Sequence, residues 1–381
     1  MAKQKVLLYG PVVAAMEGAY GGGTGGYTRK MGLYLQHFRS ETMEFVPSFH
    51  TVRGQYRFGF FVVRFFLDLF IFVRDLLRYR PAAVHLLGQY RSAIPREFIV
   101  VLLCRLARKP VVYEIKAGVF VEWYQGTNPL FRAMTDFCLR RAALVLCQGK
   151  PYVHFLRKQL GIESRYHPNF VPVEEIPDDP GEKLTGEALR VLFVGYAFHD
   201  KGVFELVEGC RLAASSTPVE LTLVGHEHSD FTKWMDAISP TAGLRVTRKG
   251  RLPHEEALEE YRRSDVYCYP TRHRGEGHNT SINEAMMMGL IIVTTRQGFM
   301  DTILDEDTAC FLPEISPQAI AGALLDISLH REEYRRRSAK VREHLLANFT
   351  SEIVFGRLEQ HYRRLFGLPA PVEKLNEPTN S

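Results

Sequence analysis

The sequence predicts an α/β chain of two doubly wound parallel-sheet domains. Three observations lead there. Short, continuously apolar runs alternate with amphipathic stretches in both halves, the pattern of strands covered on both faces by crossover helices. The alternation stops over residues 173–189, which are rich in Pro, Gly, Asp and Glu, and then restarts, as at a linker. A chain of 381 residues, 46% apolar and 24% charged, is long enough for two cores.

In the first domain, residues 1–172, the run Lys5–Tyr9 opens as a strand. A glycine-rich loop and a helix near Tyr27–Phe38 follow. Ala83–Leu87, Val111–Ile115 and Ala143–Cys147 read as further strands, and Lys150–Leu160 as a helix. The second domain, residues 190–350, opens on the strand Arg190–Val194, which ends at Gly195. Val203, Leu206, Val207 and Cys210 then mark one face of a helix. Leu221–Val224 with Gly225 repeats strand-then-glycine, and Gly250–Arg251–Leu252 ends another strand. Residues from Pro317 to about Phe366 read as helical, and the polar, Pro-containing stretch 367–381 as a disordered tail.

The net charge of +5 hides an asymmetry. Residues 1–170 carry 24 Lys+Arg against 10 Asp+Glu, a surplus of +14, and the remainder carries −9. A basic first half suits an anionic partner such as a membrane surface or a phosphorylated lipid. A generally basic solvated face explains the charge as well. Nucleic acid is not expected, because no helix-turn-helix, zinc finger or RNA-recognition signature is present. The most apolar stretch, Arg57–Arg74, is interrupted by Arg64 and Asp68, so it does not form a span of about 20 apolar residues. It reads either as a core helix or as an aromatic, Arg-flanked helix lying in a membrane interface. The chain starts directly on a strand, and its six cysteines are scattered. Both features suit a cytoplasmic protein with reduced thiols, peripheral on the inner membrane face. No metal or other cofactor is expected.

The most informative segment is Gly275–Gly289. Two carboxylates, Glu276 and Glu284, are separated by seven residues. The strand Val266–Tyr269 ends just before them at Pro270, and Ile291–Thr295 follows as another. Glu276 therefore sits on a loop at the carboxyl end of a strand, the edge at which open parallel sheets bind ligands. Glu284 sits in the first turn of a helix, whose free N–H groups favour an anion. Ser281 and Glu284 also have capping-box spacing, a purely structural reading.

This segment resembles the Glu-x7-Glu signature of family 4 of the retaining nucleotide-sugar glycosyltransferases, which have two Rossmann-like domains facing across a cleft, the GT-B fold. The usual family form is Glu-Gly-Phe-Gly; here it is Glu276–Gly277–His278–Asn279. That form, with Asn283–Glu284–Ala285–Met286, resembles a subgroup that builds bacterial surface polysaccharides such as O-antigen, capsule or exopolysaccharide. Pro168–Asn169–Phe170–Val171 is similar to the family's strand end before the interdomain link. The resemblance implies that the last helix, 351–366, crosses back onto the first domain.

The resemblance also implies roles. Glu276 contacts and positions the donor sugar, and Glu284 holds the ribose hydroxyls. Lys201, at the opening of the helix after Gly195, meets the donor diphosphate. The family has Arg where Tyr196 stands, so His199 or a base from the first domain is expected to compensate. His278, Asn279 and Thr280 offer backbone N–H groups to phosphate and sugar, and Arg251 lies near the base. The loop Gly21–Gly26, including Gly23, Thr24, Gly25 and Gly26, closes over the diphosphate; its Gly-x-Gly-x-x-Gly lies too far from the strand to be a dinucleotide fingerprint. Lys116 stands where many members carry a His that touches the donor sugar; a contact with the diphosphate or with an acidic acceptor, and an ordinary salt bridge with Glu114 or another carboxylate, are all open. The implied reaction moves a sugar from a nucleotide-sugar to a hydroxyl of a glycan or lipid-linked glycan acceptor. It proceeds with retention and without a metal. A nucleotide-sugar epimerase of the same fold and a non-catalytic nucleotide-sugar-binding protein are the alternatives.

Overall fold

Two six-stranded parallel sheets, each wrapped by helices, make up the computed structural model, which describes residues 3–11, 25–51, 61–116 and 118–369. The first domain contains β1 (Gln4–Pro11), α1 (Gly25–His37), β2 (Met43–His50), α2 (Phe61–Tyr79), β3 (Ala83–Gly88) and α3 (Ile94–Leu106). It continues through β4 (Val111–Ile115), α4 (Phe120–Gly126), α5 (Pro129–Arg141), β5 (Leu144–Cys147), α6 (Lys150–Phe155) and β6 (Arg165–Tyr166). Its strand order is β2-β1-β3-β4-β5-β6. The central strands β3 and β4 are buried along their whole length, and their sequences are apolar apart from His85 and Glu114.

Strand β2 carries Pro47, and sequence reasoning passed over it for lack of a clean apolar run. It lies at the sheet edge, where the missing N–H of a proline costs no ladder bond on the open side. The link 173–189 is not a loose spacer. Leu184 is buried, and Lys183 Nζ donates to the Arg262 carbonyl at 2.9 Å.

The second domain starts at β7 (Leu189–Val194) and continues through α7 (Val203–Ala213), β8 (Val219–Val224), α8 (Ser229–Ala237), β9 (Leu244–Gly250) and α9 (His254–Arg263). After these come β10 (Val266–Tyr269), α10 (Thr280–Met287), β11 (Ile291–Thr294), α11 (Met300–Ile303), β12 (Ala309–Phe311), α12 (Pro317–Leu329) and α13 (Arg331–Asn348). The order β12-β11-β10-β7-β8-β9 places the topological switch between β7 and β10, where the chain turns from one side of the sheet to the other. The last helix, α14 (Ser351–Leu365), returns to the first domain. Its Val354, Phe355, Leu358 and Tyr362 share a core with Val6, Leu8, Met31 and Tyr34 of β1 and α1. Tyr362 also meets His85 Nδ1 of β3 at 2.8 Å.

Helix α2 is turned the opposite way from an ordinary surface helix. Its buried side carries Asp68 and Asp75 beside Phe72 and Leu76. Asp68 accepts from the Thr51 N–H and from Arg96, both at 2.9 Å, and Asp75 accepts from Ser48 at 2.9 Å. Val62, Val63, Phe66, Leu67, Phe70 and Leu77 instead face outward, 45–69% exposed.

Candidate active site

The loops after β7 and β10 meet at the switch point of the second sheet. Lys201 closes a short 3-10 turn, His199–Lys201, and Gly202 follows with φ +66° as the first cap of α7. A Cβ on Gly202 would stand 2.0 Å from the Pro270 carbonyl, so the Lys-Gly pair is what lets the two loops touch. Lys201 Nζ donates to the Tyr269 hydroxyl at 2.5 Å and forms an ion pair with Glu276 Oε1. The same oxygen accepts from Tyr269 at 3.1 Å and from Thr271 at 3.0 Å. Glu276 is buried, so its charge is matched by one cation and two hydroxyls rather than by water.

These groups line a cleft of about 670 Å³ between the domains. Gly195, Tyr196, Lys201, Glu276, Gly277, His278, Asn279 and Thr280 form its second-domain wall. Lys30, Lys116, Gly118, Gln148 and Asn169 form the other. The walls touch directly. Asn169 Nδ2 donates to the His278 carbonyl at 2.6 Å, with Gln148 Nε2 at 3.4 Å from the same oxygen. The Gly118 backbone lies so close to the Glu276 loop that a Cβ there would stand 2.2 Å from the Gly275 carbonyl.

Several predicted residues are placed differently from expectation. The N-cap of α10 is Asn279, whose side chain accepts from the Ser281 N–H at 3.0 Å, so the capping-box reading of Ser281 and Glu284 is incorrect. The Asn side chain takes the cap two residues before Ser281, so Glu284 falls in the second turn of α10, not the first, and is left available. Arg29 of α1 reaches across from the first domain and pairs with Glu284 at 2.8 Å. His254 and Glu175 complete that cluster, with His254 Nε2 2.9 Å from Glu175. The His278 ring turns inward: its Nε2 meets Asn283 Oδ1 at 2.8 Å and its edge packs on Phe349. Burial lowers its pKa to about 3, so it is neutral, and only its backbone is presented to the first-domain wall. Tyr196 is half-exposed and stacks near Phe198, bringing no cation to the cleft. His199 is exposed on the outer side of its turn, near Arg272. Arg251 lies on a separate open hollow with Gly225, His226, Glu227, Arg248 and Gly250.

Gly23 and Thr24 lie outside the described residues, while Gly25 and Gly26 form the first turn of α1. Lys116 lines the cleft and forms the salt bridge with Glu114, Oε1 lying 2.5 Å from its Nζ. Sequence reasoning missed Arg29, Lys30 and Gln148. The usable signal for the first two was two adjacent cations just after a glycine-rich run at a helix start. Among the described residues no group of three or more His, Cys, Asp or Glu side chains is disposed to hold a metal. The chain's Asp-x-Asp, Asp305–Glu306–Asp307, is not part of the cleft lining. Asp305 Oδ1 shapes the turn before β12 by accepting the N–H groups of Asp307 and Thr308 at 3.1 and 3.0 Å.

Comparison with known proteins agrees with this geometry. Residues 188–329 match the family described as "Glycosyl transferases group 1", so the second domain is a group 1 glycosyltransferase domain. The capsular polysaccharide biosynthesis glycosyltransferase CapM of Staphylococcus aureus is 24% identical over 186 residues, 47% of each chain. The match thus spans about half the length of that curated relative. Among solved structures, a sucrose-phosphate synthase from Thermosynechococcus elongatus superposes with a TM-score of 0.68 at 17% identity, covering 96% of this chain and all of that one. HepE of Anabaena, solved with UDP, gives 0.65 at 11% identity over 95% of this chain and 100% of its own. The overall architecture is therefore GT-B.

Proposed function

We propose that the protein is a retaining glycosyltransferase of bacterial surface polysaccharide synthesis, moving a sugar from a nucleotide-sugar to a hydroxyl of a lipid-linked glycan. The observation that carries this reading is the meeting of Lys201 and Glu276 at the switch point of a group 1 domain, opposite a first-domain wall. Lys201 and the N–H groups at the start of α10 stabilise the departing diphosphate, the main electrostatic task, with no metal required. Glu276 then exchanges its contact with Lys201 for the donor sugar and steadies positive charge on the ring carbon. Glu284 takes the ribose hydroxyls when Arg29 moves aside.

Glu276 is the one carboxylate in the described lining of the cleft. The opposed pair of carboxylates that a retaining glycosidase uses is therefore not present in that described lining. The economical route is front-face. The bond from the anomeric carbon to the leaving phosphate breaks, the bond to the acceptor oxygen forms on the same face, and the phosphate oxygen receives the acceptor proton.

The membrane half of the reading is supported by α2. Its apolar stripe is continued by Leu102 and Leu106 of α3 and bordered by the exposed Arg74, Arg78, Arg105 and Arg108. Each such cation near an anionic leaflet contributes about 1 kcal/mol. Arg57 lies outside the described residues. Among the described residues no helix is long and apolar enough to cross a membrane.

The test is a panel of nucleotide-sugars, first for thermal stabilisation and then for transfer to a prenyl-diphosphate-linked sugar, with the product anomer read by NMR. Transfer with retention is expected. Conversion of the donor to its epimer without acceptor, or inversion, overturns the catalytic reading. For attachment, binding to anionic vesicles is expected to fall with salt and in Phe66→Ser/Phe70→Ser; equal transfer to soluble and lipid-linked acceptors, with no vesicle binding, removes the membrane half alone.

A further inference from the structure

The first-domain wall of the cleft is built around a buried carboxylate that two lysines share. Glu114, at the carboxyl end of β4, is fully buried. Its Oε2 accepts from Tyr34 at 2.9 Å and lies 3.2 Å from His85 Nε2. Its Oε1 faces Lys116 Nζ at 2.5 Å, Lys30 Nζ at 3.4 Å and His167 Nε2 at 3.7 Å. Burial alone would raise the Glu114 carboxyl, but Lys30 and the neighbouring imidazoles hold it down at about 2. Burial in turn lowers His167 to about 3, against the pull of Glu114, so that imidazole adds no charge near neutral pH.

The two lysines differ. Lys30 has a structural partner, donating to Asn169 Oδ1 at 3.0 Å, and Asn169 is the residue that bridges to His278 on the other wall. Lys116 has none of that kind. Its side chain is 6% exposed and lines the cleft, yet apart from the ion contact with Glu114 its ammonium makes no hydrogen bond among the described residues. An ammonium carries three donors. On the opposite wall Lys201 and Glu276 match one for one. Among the described residues this wall sets two lysines against one carboxylate, and although burial pushes the Lys30 ammonium below the usual lysine range, Lys116 has no carboxylate of its own. A desolvated, unmatched cation is unfavourable unless a ligand anion completes it.

We propose that Lys116, backed by Lys30 and Glu114, is an anion-binding subsite that receives a negatively charged group of the substrate opposite Glu276. The proposal rests on the transferase reading and deepens it by giving one substrate a charge. Two sources have the right chemistry: a carboxylate on the transferred sugar, as in a uronic acid, or a phosphate of the acceptor. The Gly118 contact with the Gly275–Glu276 loop puts Lys116, two residues earlier, within reach of either.

The experiment is calorimetric titration of the full chain and of Lys116→Met and Lys116→Arg. The probes are UDP, UDP-glucose against UDP-glucuronic acid, and geranyl diphosphate against geraniol in the presence of UDP. Wild type is expected to bind one anionic probe about tenfold tighter than its neutral counterpart, the scale of one charged hydrogen bond. Lys116→Met should erase that preference, Lys116→Arg should retain part of it, and UDP alone should bind all three proteins alike. Preference for the uronate assigns the charge to the donor sugar; preference for the diphosphate assigns it to the acceptor. No preference for either anion in wild type overturns the subsite. So does a loss of UDP affinity in Lys116→Met as large as the loss for the anionic probes, since the lysine would then belong to the donor diphosphate. If UDP does not bind while geranyl diphosphate binds through Lys116, the donor reading fails and the subsite stands.

Discussion

Replacing Gly118 with Ala tests whether the two walls must touch for turnover. An added Cβ would lie 2.2 Å from the Gly275 carbonyl oxygen and 2.8 Å from the Glu276 carbonyl carbon, where ordinary contact begins at 3.4 Å. One wall must therefore retreat by about 1.2 Å, the gap between those two distances. The steric clash alone, whatever the backbone contributes, forces that retreat. The loop that moves carries Glu276, and a misplacement of about 1 Å at a reacting centre costs on the order of 10²-fold in rate, about 2.7 kcal/mol of barrier. The proposed nucleotide contacts at Lys201 lie on a different loop of the second domain. The expected outcome is a kcat lower by about two orders of magnitude with the dissociation constant for UDP changed by less than about threefold. Steady-state kinetics and calorimetry read the two quantities. Gly126→Ala, on the following helix with nothing within 4 Å of the new Cβ, is the control and should be silent. A Gly118→Ala enzyme with wild-type kcat would refute the argument that this close approach sets the position of Glu276.

Glu276→Gln should lower kcat far more than donor affinity, because its contact with the ring carbon strengthens in the transition state; wild-type turnover in this variant would sink its assignment. Lys201→Ala should weaken nucleotide binding by roughly 1.5–3 kcal/mol and also lower the melting temperature, since it leaves buried Glu276 without its cation. Activity should survive a chelator if, as proposed, Lys201 and helix N–H groups stabilise the diphosphate; loss on chelation with recovery on adding manganese or magnesium would contradict this. Stability should fall on acidification. His167 and His278 are each lowered from 6.5 to about 3 by burial, so the unfolded chain takes up protons that the fold refuses. That stability is complete above about pH 6.5 and is lost as pH falls toward 3, amounting at pH 5 to about 2 kcal/mol for each imidazole. Glu114, lowered to about 2, adds a loss of the same sign below about pH 4.5. Denaturant midpoints from pH 7.5 to 4.5 check the slope, and a flat profile would show that the two rings are protonated in the fold.

The order of elements and the loops that matter could be read from the chain alone. Strand runs such as Val266–Tyr269 and Ile291–Thr294 are short and apolar up to the final Thr294 because parallel strands are covered on both faces, and that pattern is local. The placement of Lys201 and Glu276 after two strands of one sheet follows from the same local pattern. Their contact required β7 and β10 to be neighbours at the switch, which strand order decides and periodicity does not. The same limit hid Arg29, whose partner Glu284 lies 255 residues away. It hid the Glu114 cluster, assembled from β3, β4, α1 and, through Tyr362 and His85, the returning α14. Helix α2 shows the reason most plainly. Its sequence has apolar residues to spare and two aspartates, and a periodic pattern assigns the aspartates to water. The neighbours Ser48, Thr51 and Arg96, supplied by other elements, together with Arg74 of the helix itself, make it favourable to bury Asp68 and Asp75 and leave Phe66 and Phe70 outside. Local periodicity thus determined which elements form and in what order, while the pairing of buried charges, which depends on groups far apart in the chain, was decided by the tertiary structure.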